Sequence, residues 1–169
     1  MLSVNEMQKL LLRFPKVELS YDKMIHKKVH SDYCQAIPYG KKYFAWFTHY
    51  KGEDVCIFLE TNYSLNIFDI VIKPVCFKND LSFGTILYGT MVNERYFVTE
   101  DIFLYKSRDV SSYNNISKLN LLKNILQEDI KQIAYSNNDI VISLPITKIA
   151  YSDLESELRY LPYNIYSIA

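Results

Sequence analysis

Apolar residues recur at two spacings along this chain. Through the middle of the sequence they alternate with a period of two, and after Ser111 they recur every three or four residues. The first period is that of strands and the second that of an amphipathic helix. Tyr43 to His49 and Val55 to Glu60 read as strands joined by the turn Lys51-Gly52-Glu53-Asp54, with Gly52 supplying a positive φ. In the first of these strands Tyr43, Ala45, Phe47 and His49 share one face, and Phe44, Trp46 and Thr48 the other. Both faces are apolar, which predicts a central strand. Ile67 to Ile72 and Val75 to Phe77 are further β pieces, separated by Pro74. A second hairpin spans Phe83 to Tyr105, with the polar turn Asn93-Glu94-Arg95.

The ends of the chain carry helix signals. Ser3 and Glu6 have capping-box spacing and open a helix to Arg13, which Phe14-Pro15 ends. Val17 to Tyr21 alternates weakly, as an edge strand does, and Asp22 to Tyr33 is a basic, polar loop or short helix. Pro38-Tyr39-Gly40-Lys41-Lys42 is a turn signal. Ile116, Leu119, Leu122, Ile125, Leu126, Ile130 and Ile133 predict one long helix of about five turns. Asp139 to Leu144 reads as a buried strand. Ser152 and Glu155 suggest a second capping box, opening a helix that runs to Leu161, and Tyr163 to Ile168 is a final strand. The fold class expected is α+β, an antiparallel β-sheet core with flanking helices. A single domain fills residues 1–169, with 1–37 an N-terminal helix and extension and 38–169 the core.

Charge and composition narrow the function. The chain has 19 basic and 19 acidic side chains. Without a global field, tight nonspecific binding to duplex DNA is not expected. Tyr (15) and Phe (9) are abundant, which suits a β-rich core and also offers stacking faces for bases. There is no apolar run of membrane-spanning length and no signal-peptide pattern, so no membrane partner and a cytoplasmic location are expected. Cys34, Cys56 and Cys76 are odd in number and widely spaced, which fits reduced thiols. His26 and His30 lack further ligands nearby, so neither a metal nor another cofactor is expected.

The segment Gly84-Thr85-Ile86-Leu87-Tyr88-Gly89-Thr90 and the following Tyr96-Phe97-Val98-Thr99-Glu100-Asp101 resemble the paired central strands of the covalent nucleotidyltransferases, the mRNA capping guanylyltransferases and ATP-dependent ligases. Pro38-Tyr39-Gly40-Lys41-Lys42 leading into Tyr43 to Thr48 resembles the noncatalytic cap-binding domain of the snurportin type. The resemblance covers roughly residues 38–126, in the sense of an approximate pattern match. It implies a guanylyltransferase-like nucleotide-binding domain. The family's chemistry needs a lysine nucleophile in a K-x-D-G loop. Here the matching turn is His49-Tyr50-Lys51-Gly52, with His49 at the nucleophile. Sliding the register to make Lys51 the nucleophile leaves Gly52-Glu53-Asp54 and breaks the loop. The family's strand aspartate and metal-orienting glutamate are replaced by Tyr88 and Thr90. No catalytic residue is therefore assigned, and no enzyme activity is expected.

The resemblance implies noncatalytic binding of a capped RNA 5′ end or purine nucleotide, in a cleft between the sheet and the loops around residues 48–54. Trp46, Tyr50 and Tyr88 are the candidate stacking rings. Glu60, Glu100 and Asp101 are candidates for the base edge, with Glu100 and Asp101 expected on opposite faces as strand neighbours. Lys41, Lys42, Lys51, Arg95 and Lys106 are the candidate phosphate contacts. The alternatives are a protein-interaction scaffold on the same fold, with protein partners, and a divergent active nucleotidyltransferase or RNA ligase.

Overall fold

The computed structural model describes residues 2–17, 32–62, 66–131 and 138–169. It is an α+β fold in which nearly all strand pairing is antiparallel. Ten strands are formed among the described residues: β1 (Cys34–Pro38), β2 (Lys41–Tyr50), β3 (Glu53–Thr61), β4 (Ile67–Lys73), β5 (Thr85–Val92), β6 (Tyr96–Tyr105), β7 (Arg108–Asp109), β8 (Val141–Ser143), β9 (Ile146–Lys148) and β10 (Ile165–Ile168). The helices are α1 (Val4–Arg13), α2 (Asn115–Asn124) and α3 (Tyr151–Leu158). The main sheet runs β4-β3-β2-β5-β6-β7, and β8 lies parallel to the first residues of β6. A smaller sheet has the order β10-β1-β9.

β2 is a central strand, as its two apolar faces require. One face of the main sheet presents Phe44, Trp46, Ile57, Leu59, Ile86, Tyr88 and Phe103, and α1 seats Leu10 among them. The other face presents Ala45, Phe47, Phe58, Leu87 and Phe97, covered by Leu122 and Ile125 from the α2 segment and by Leu81. α1 begins as its sequence dictates. The Ser3 hydroxyl accepts from the Glu6 backbone N–H, and the Glu6 carboxylate accepts from the Ser3 backbone N–H at 2.7 Å. Phe14 ends it in an extended conformation before Pro15.

The β2–β3 turn is tighter than the sequence suggests. Only Lys51 (φ 51°) and Gly52 (φ 85°) lie between the strands, and Tyr50 pairs with Glu53. Left-handed backbone at both positions is the turn whose twist matches that of a hairpin. Asn93 and Glu94 are also left-handed, with the Arg95 N–H bonded to Val92 O at 3.2 Å.

Several elements differ from the expected ones. The long helix stops early: α2 passes into a wide turn, Ile125–Asp129, with the Ile130 N–H bonded to Ile125 O at 2.9 Å. Ile130 is extended and pairs with Phe77, the single bridge formed in the stretch read as a strand. The chain turns there because Lys78 N–H and Lys131 N–H bond across to Asp129 O and Cys76 O, both at 2.8 Å. Ile133 falls outside the described residues. α3 starts one residue before the expected cap, on Ala150, so Ser152 lies inside the first turn and no side chain caps the helix. It also ends at Leu158 rather than Leu161. The strands read at 139–144 and 163–168 are shorter, Val141–Ser143 and Ile165–Ile168. Val17 is not in a strand, and the rest of the expected edge strand, with most of the basic segment 22–33, lies outside the described residues. β1 lies across the expected boundary at residue 37 and joins the small sheet.

β5 and β6 do not pair in simple register. Tyr88 pairs with Asp101 and Gly89 with Thr99, so Glu100 is an extra residue in β6. Gly89 makes this possible, since a Cβ there would stand 2.1 Å from the Val98 carbonyl oxygen. Gly89→Ala is expected to lower the unfolding free energy by about 1–3 kcal/mol, the range for forced overpacking, read as a drop in the urea midpoint.

Candidate functional site

An open groove of about 690 Å³ lies beside the α2 face of the sheet. Its floor and walls follow from strand register. Tyr43 pairs with Glu60, and Glu60 with Asp69, so these three side chains share a face. Lys41, two residues before Tyr43, joins them. Glu94 arrives from the β5–β6 turn, and Pro162, Tyr163 and Asn164 close the far side. The far side is tied to the near one by the Tyr39 N–H, which donates to Asn164 O at 2.8 Å. Gly40 fits under this joint because its missing Cβ leaves room for the Met91 carbonyl oxygen.

The groove is aromatic and acidic. Tyr39 is exposed at its rim, where its ring stands 6.0 Å from that of Tyr166. Glu60 Oε2 accepts from the Tyr43 hydroxyl and from Lys41 Nζ, each at 3.0 Å. Burial, the bond to Glu60 and the charges of Glu60, Asp69 and Glu94 raise the Tyr43 phenol well above its ordinary value. The phenol therefore stays protonated, a fixed donor to Glu60. Burial also raises the phenol of Tyr163.

The α1 face holds a second polar cluster. Lys42 Nζ stands 2.6 Å from Glu100 Oε1 and 2.6 Å from Thr90 Oγ1, and the Thr90 hydroxyl donates to Glu100. The Lys42 and Glu100 side chains are only 11% and 14% exposed. Beside them Lys118 Nζ bonds Asp101 Oδ1 at 2.8 Å and stands 5.6 Å from the centre of the Phe103 ring. Glu100 and Asp101 were expected on opposite faces. The extra residue in β6 turns both toward the α1 face, where Glu100 meets Lys42 and Asp101 lies opposite Tyr88.

The expected cleft around residues 48–54 is occupied by α1. Glu6 accepts from Lys51 Nζ and from the Tyr50 hydroxyl at 3.1 Å. Arg13 donates to Thr48 Oγ1 and His49 O. His49, which the resemblance places at the nucleophile, has Nδ1 2.5 Å from Asp54 Oδ1. Trp46 and Tyr88 are interior rings. Trp46 packs edge-on against Phe14 at 5.4 Å with Arg13 above it, and Tyr88 lies between Phe44 and Phe103.

Lys106 sits at the opposite end of β6, bonded to Asp80 at 2.6 Å and to Asp129 at 3.3 Å. Burial works to lower its pKa, but the bonds to Asp80, Tyr105 and Asp129 outweigh it, and the ammonium is held strongly protonated. Arg95 lies at the β5–β6 turn with its guanidinium 5.7 Å from the Tyr96 ring centre. Of the candidate residues, the groove gathers Lys41 and Glu60 and leaves the others elsewhere. The sequence reading missed Tyr43, Asp69, Glu94 and Tyr163. Counting back from a two-residue turn at Lys51–Gly52 would have found Tyr43 opposite Glu60.

The sequence matches no protein-family model and no curated protein. Among the described residues no three or more His, Cys, Asp or Glu side chains are placed to hold a metal ion. No helix of the described residues is long and apolar enough to cross a membrane.

Two outcomes follow from these contacts. Glu100→Ala leaves the Lys42 ammonium without its counter-charge and is expected to cost about 3–5 kcal/mol in urea unfolding, whereas Lys42→Met with Glu100→Leu is expected to recover most of it. The second concerns pH. Lys51, then Ser3 and Tyr50, hold the Glu6 carboxyl down at about 2 from 4.5. A carboxyl lowered in the folded state stabilises above its unfolded value. The anchoring of α1 by Glu6 is therefore complete above pH 4.5 and lost as the pH falls toward 2. Trp46 fluorescence, which senses Phe14 and Arg13, should report that loss, and the part due to Glu6 should vanish in Glu6→Gln.

Proposed function

We propose that this protein is a noncatalytic binding domain for a purine nucleotide, carried free or as a capped RNA 5′ end, and that the groove beside Tyr43 receives the base. The observation that carries the reading is the Lys41–Tyr43–Glu60 constellation with Glu94, Asp69 and the rim ring of Tyr39 around one concavity. A carboxylate accepts from the N1–H and N2–H edge of guanine, which adenine lacks. Three carboxylates against two lysines, Lys41 and Lys73, leave the groove net negative, which favours a positively charged, N7-methylated ring over a neutral one. Tyr39 offers the stacking face, a contact strengthened when the base is cationic. Lys41, whose side chain is 69% exposed, is free to swing toward phosphate while Glu60 keeps the Tyr43 hydroxyl.

The absence of catalysis in this reading rests on His49 in place of the family lysine and on Thr90 in place of the metal-orienting glutamate. The Thr90 hydroxyl is bonded to Glu100 and Lys42. Incubation with labelled GTP or ATP and a divalent metal is expected to leave the protein unlabelled.

Titration calorimetry at low salt tests the binding reading. Heat is expected with an N7-methylated cap analogue, less with GTP and least with ATP. Tyr39→Ala is expected to weaken binding by about 1–3 kcal/mol, the range for base–aromatic stacking, and Glu60→Gln to weaken the cap analogue more than ATP. No heat with any of the three at millimolar concentration overturns the nucleotide reading.

A further inference from the structure

Strand β4 is the outer strand of the main sheet on the side away from β6. Its inner edge pairs with β3, from Cys56 opposite Lys73 to Thr61 opposite Ile67. Among the described residues, the backbone groups of the outer edge meet no other strand. The Ile70 N–H turns away from β3 and is met by its neighbour's carboxylate, Asp69 Oδ1, at 2.8 Å. Residues two apart on a strand face the same way, so the Ile72 N–H and C=O also point outward. Among the described residues no strand pairs on that edge. Phe68, at its start, is 66% exposed.

The edge is complementary to itself. When two copies of β4 run antiparallel with Val71 opposite Val71, Ile70 meets Ile72 and Asp69 meets Lys73, each contact occurring twice by symmetry. Ile70 and Ile72 form the hydrogen-bonded kind of pair, which uses their outward N–H and C=O groups. Asp69 and Lys73 form the other kind, in which side chains come closest. Among the described residues neither makes an ion pair within the chain. Neighbouring registers lose this match. Centring on Ile70 sets Lys73 opposite Ile67, centring on Asp69 opposes two carboxylates, and centring on Ile72 places Pro74, which has no N–H, opposite Ile70.

We infer that β4 is a homodimer edge, through which two copies of this chain pair antiparallel about a twofold axis at Val71. On pairing, the Ile70 N–H exchanges the Asp69 carboxylate for the Ile72 carbonyl of the second copy. The carboxylate is then free to meet Lys73 of that copy. The main sheets join into one continuous sheet, with Ile70 and Ile72 of both copies on the α1 faces and Asp69, Val71 and Lys73 on the α2 faces. An interface of this kind is isologous, the commonest closed arrangement of identical chains. It also covers a strand edge that otherwise invites uncontrolled pairing.

Sedimentation equilibrium from micromolar to millimolar concentration tests this. The wild type is expected to show a monomer–dimer equilibrium. Asp69→Lys alone and Lys73→Asp alone each oppose like charges at two symmetric places and are expected to weaken the dimer by about tenfold or more. The double charge exchange is expected to bring it back to within a few-fold of the wild type. Val71→Cys should form an intermolecular disulfide under mild oxidation, which the wild type with its cysteines at 34, 56 and 76 should not, because non-hydrogen-bonded partners lie within disulfide reach. A monomer throughout the range, or a dimer indifferent to the single and double charge exchanges, overturns the inference. Association with a different protein through β4 in place of self-pairing overturns it as well.

Discussion

The α1 face of the sheet depends on one local irregularity, the extra residue Glu100 in β6 opposite Gly89. A regular strand running on from Phe97 would send Asp101 to the α2 face, into the cluster of Leu87, Met91 and Phe97. A carboxylate buried there without a partner carries a heavy desolvation penalty. The bulge turns it instead to the α1 face, within reach of Lys118 at the start of α2. Glu100 stays on that face as well, its oxygens bonded by Lys42 and Thr90. The bulge thus ties together the three central strands β2, β5 and β6 and the first turn of α2. Its precondition is the missing Cβ at Gly89.

Charge pairing is the second constraint. With equal numbers of basic and acidic side chains, lysines meet carboxylates throughout: Lys42 with Glu100, Lys51 with Glu6, Lys106 with Asp80 and Asp129, Lys118 with Asp101, Lys148 with Glu157. The partly buried pairs hold elements in place. Lys106 joins the end of β6 to the wide turn after α2, and Lys118 joins α2 to β6. A lysine engaged in this way does not reach a phosphate without leaving a carboxylate behind. Lys41 differs from Lys106, which the sequence alone ranks beside it, because its pair is exposed and Glu60 keeps the Tyr43 hydroxyl when the lysine leaves.

Alternation and turn chemistry made much of the sheet legible. The double apolar pattern of Tyr43 to Thr48 placed β2 at the centre. Ser3 with Glu6 located the start of α1, and Phe14-Pro15 its end. The elements that escaped are those set by distant partners. α2 stops short because Lys78 and Lys131 bond across to the chain near Asp129 and Cys76, contacts that no helical periodicity records. β1 is short and pairs, among the described residues, only with β9 and β10, so its local pattern is weak. Trp46, Tyr88 and the residues around 48–54 look available in the sequence because nothing local reveals that α1 lies over them. The position of Leu10 within the core is a tertiary fact.

β4 connects the two surfaces of interest. Asp69, Val71 and Lys73 line the groove beside Tyr43, and the same three side chains lie along the outer edge. Asp69 contributes to the negative field around the Tyr43 phenol. Pairing it with a lysine from a second copy weakens that field, while Lys73 of the same strand is drawn away from the groove. A cationic base in the groove and a second copy on β4 therefore draw on the same carboxylate. When two binding events share a group, the free energy of coupling is one quantity read from either side. Dimer formation that reduces affinity for a cationic ligand by some factor must be reversed by that ligand to the same extent. A neutral ligand, which makes no call on the charge of Asp69, carries no such coupling through it.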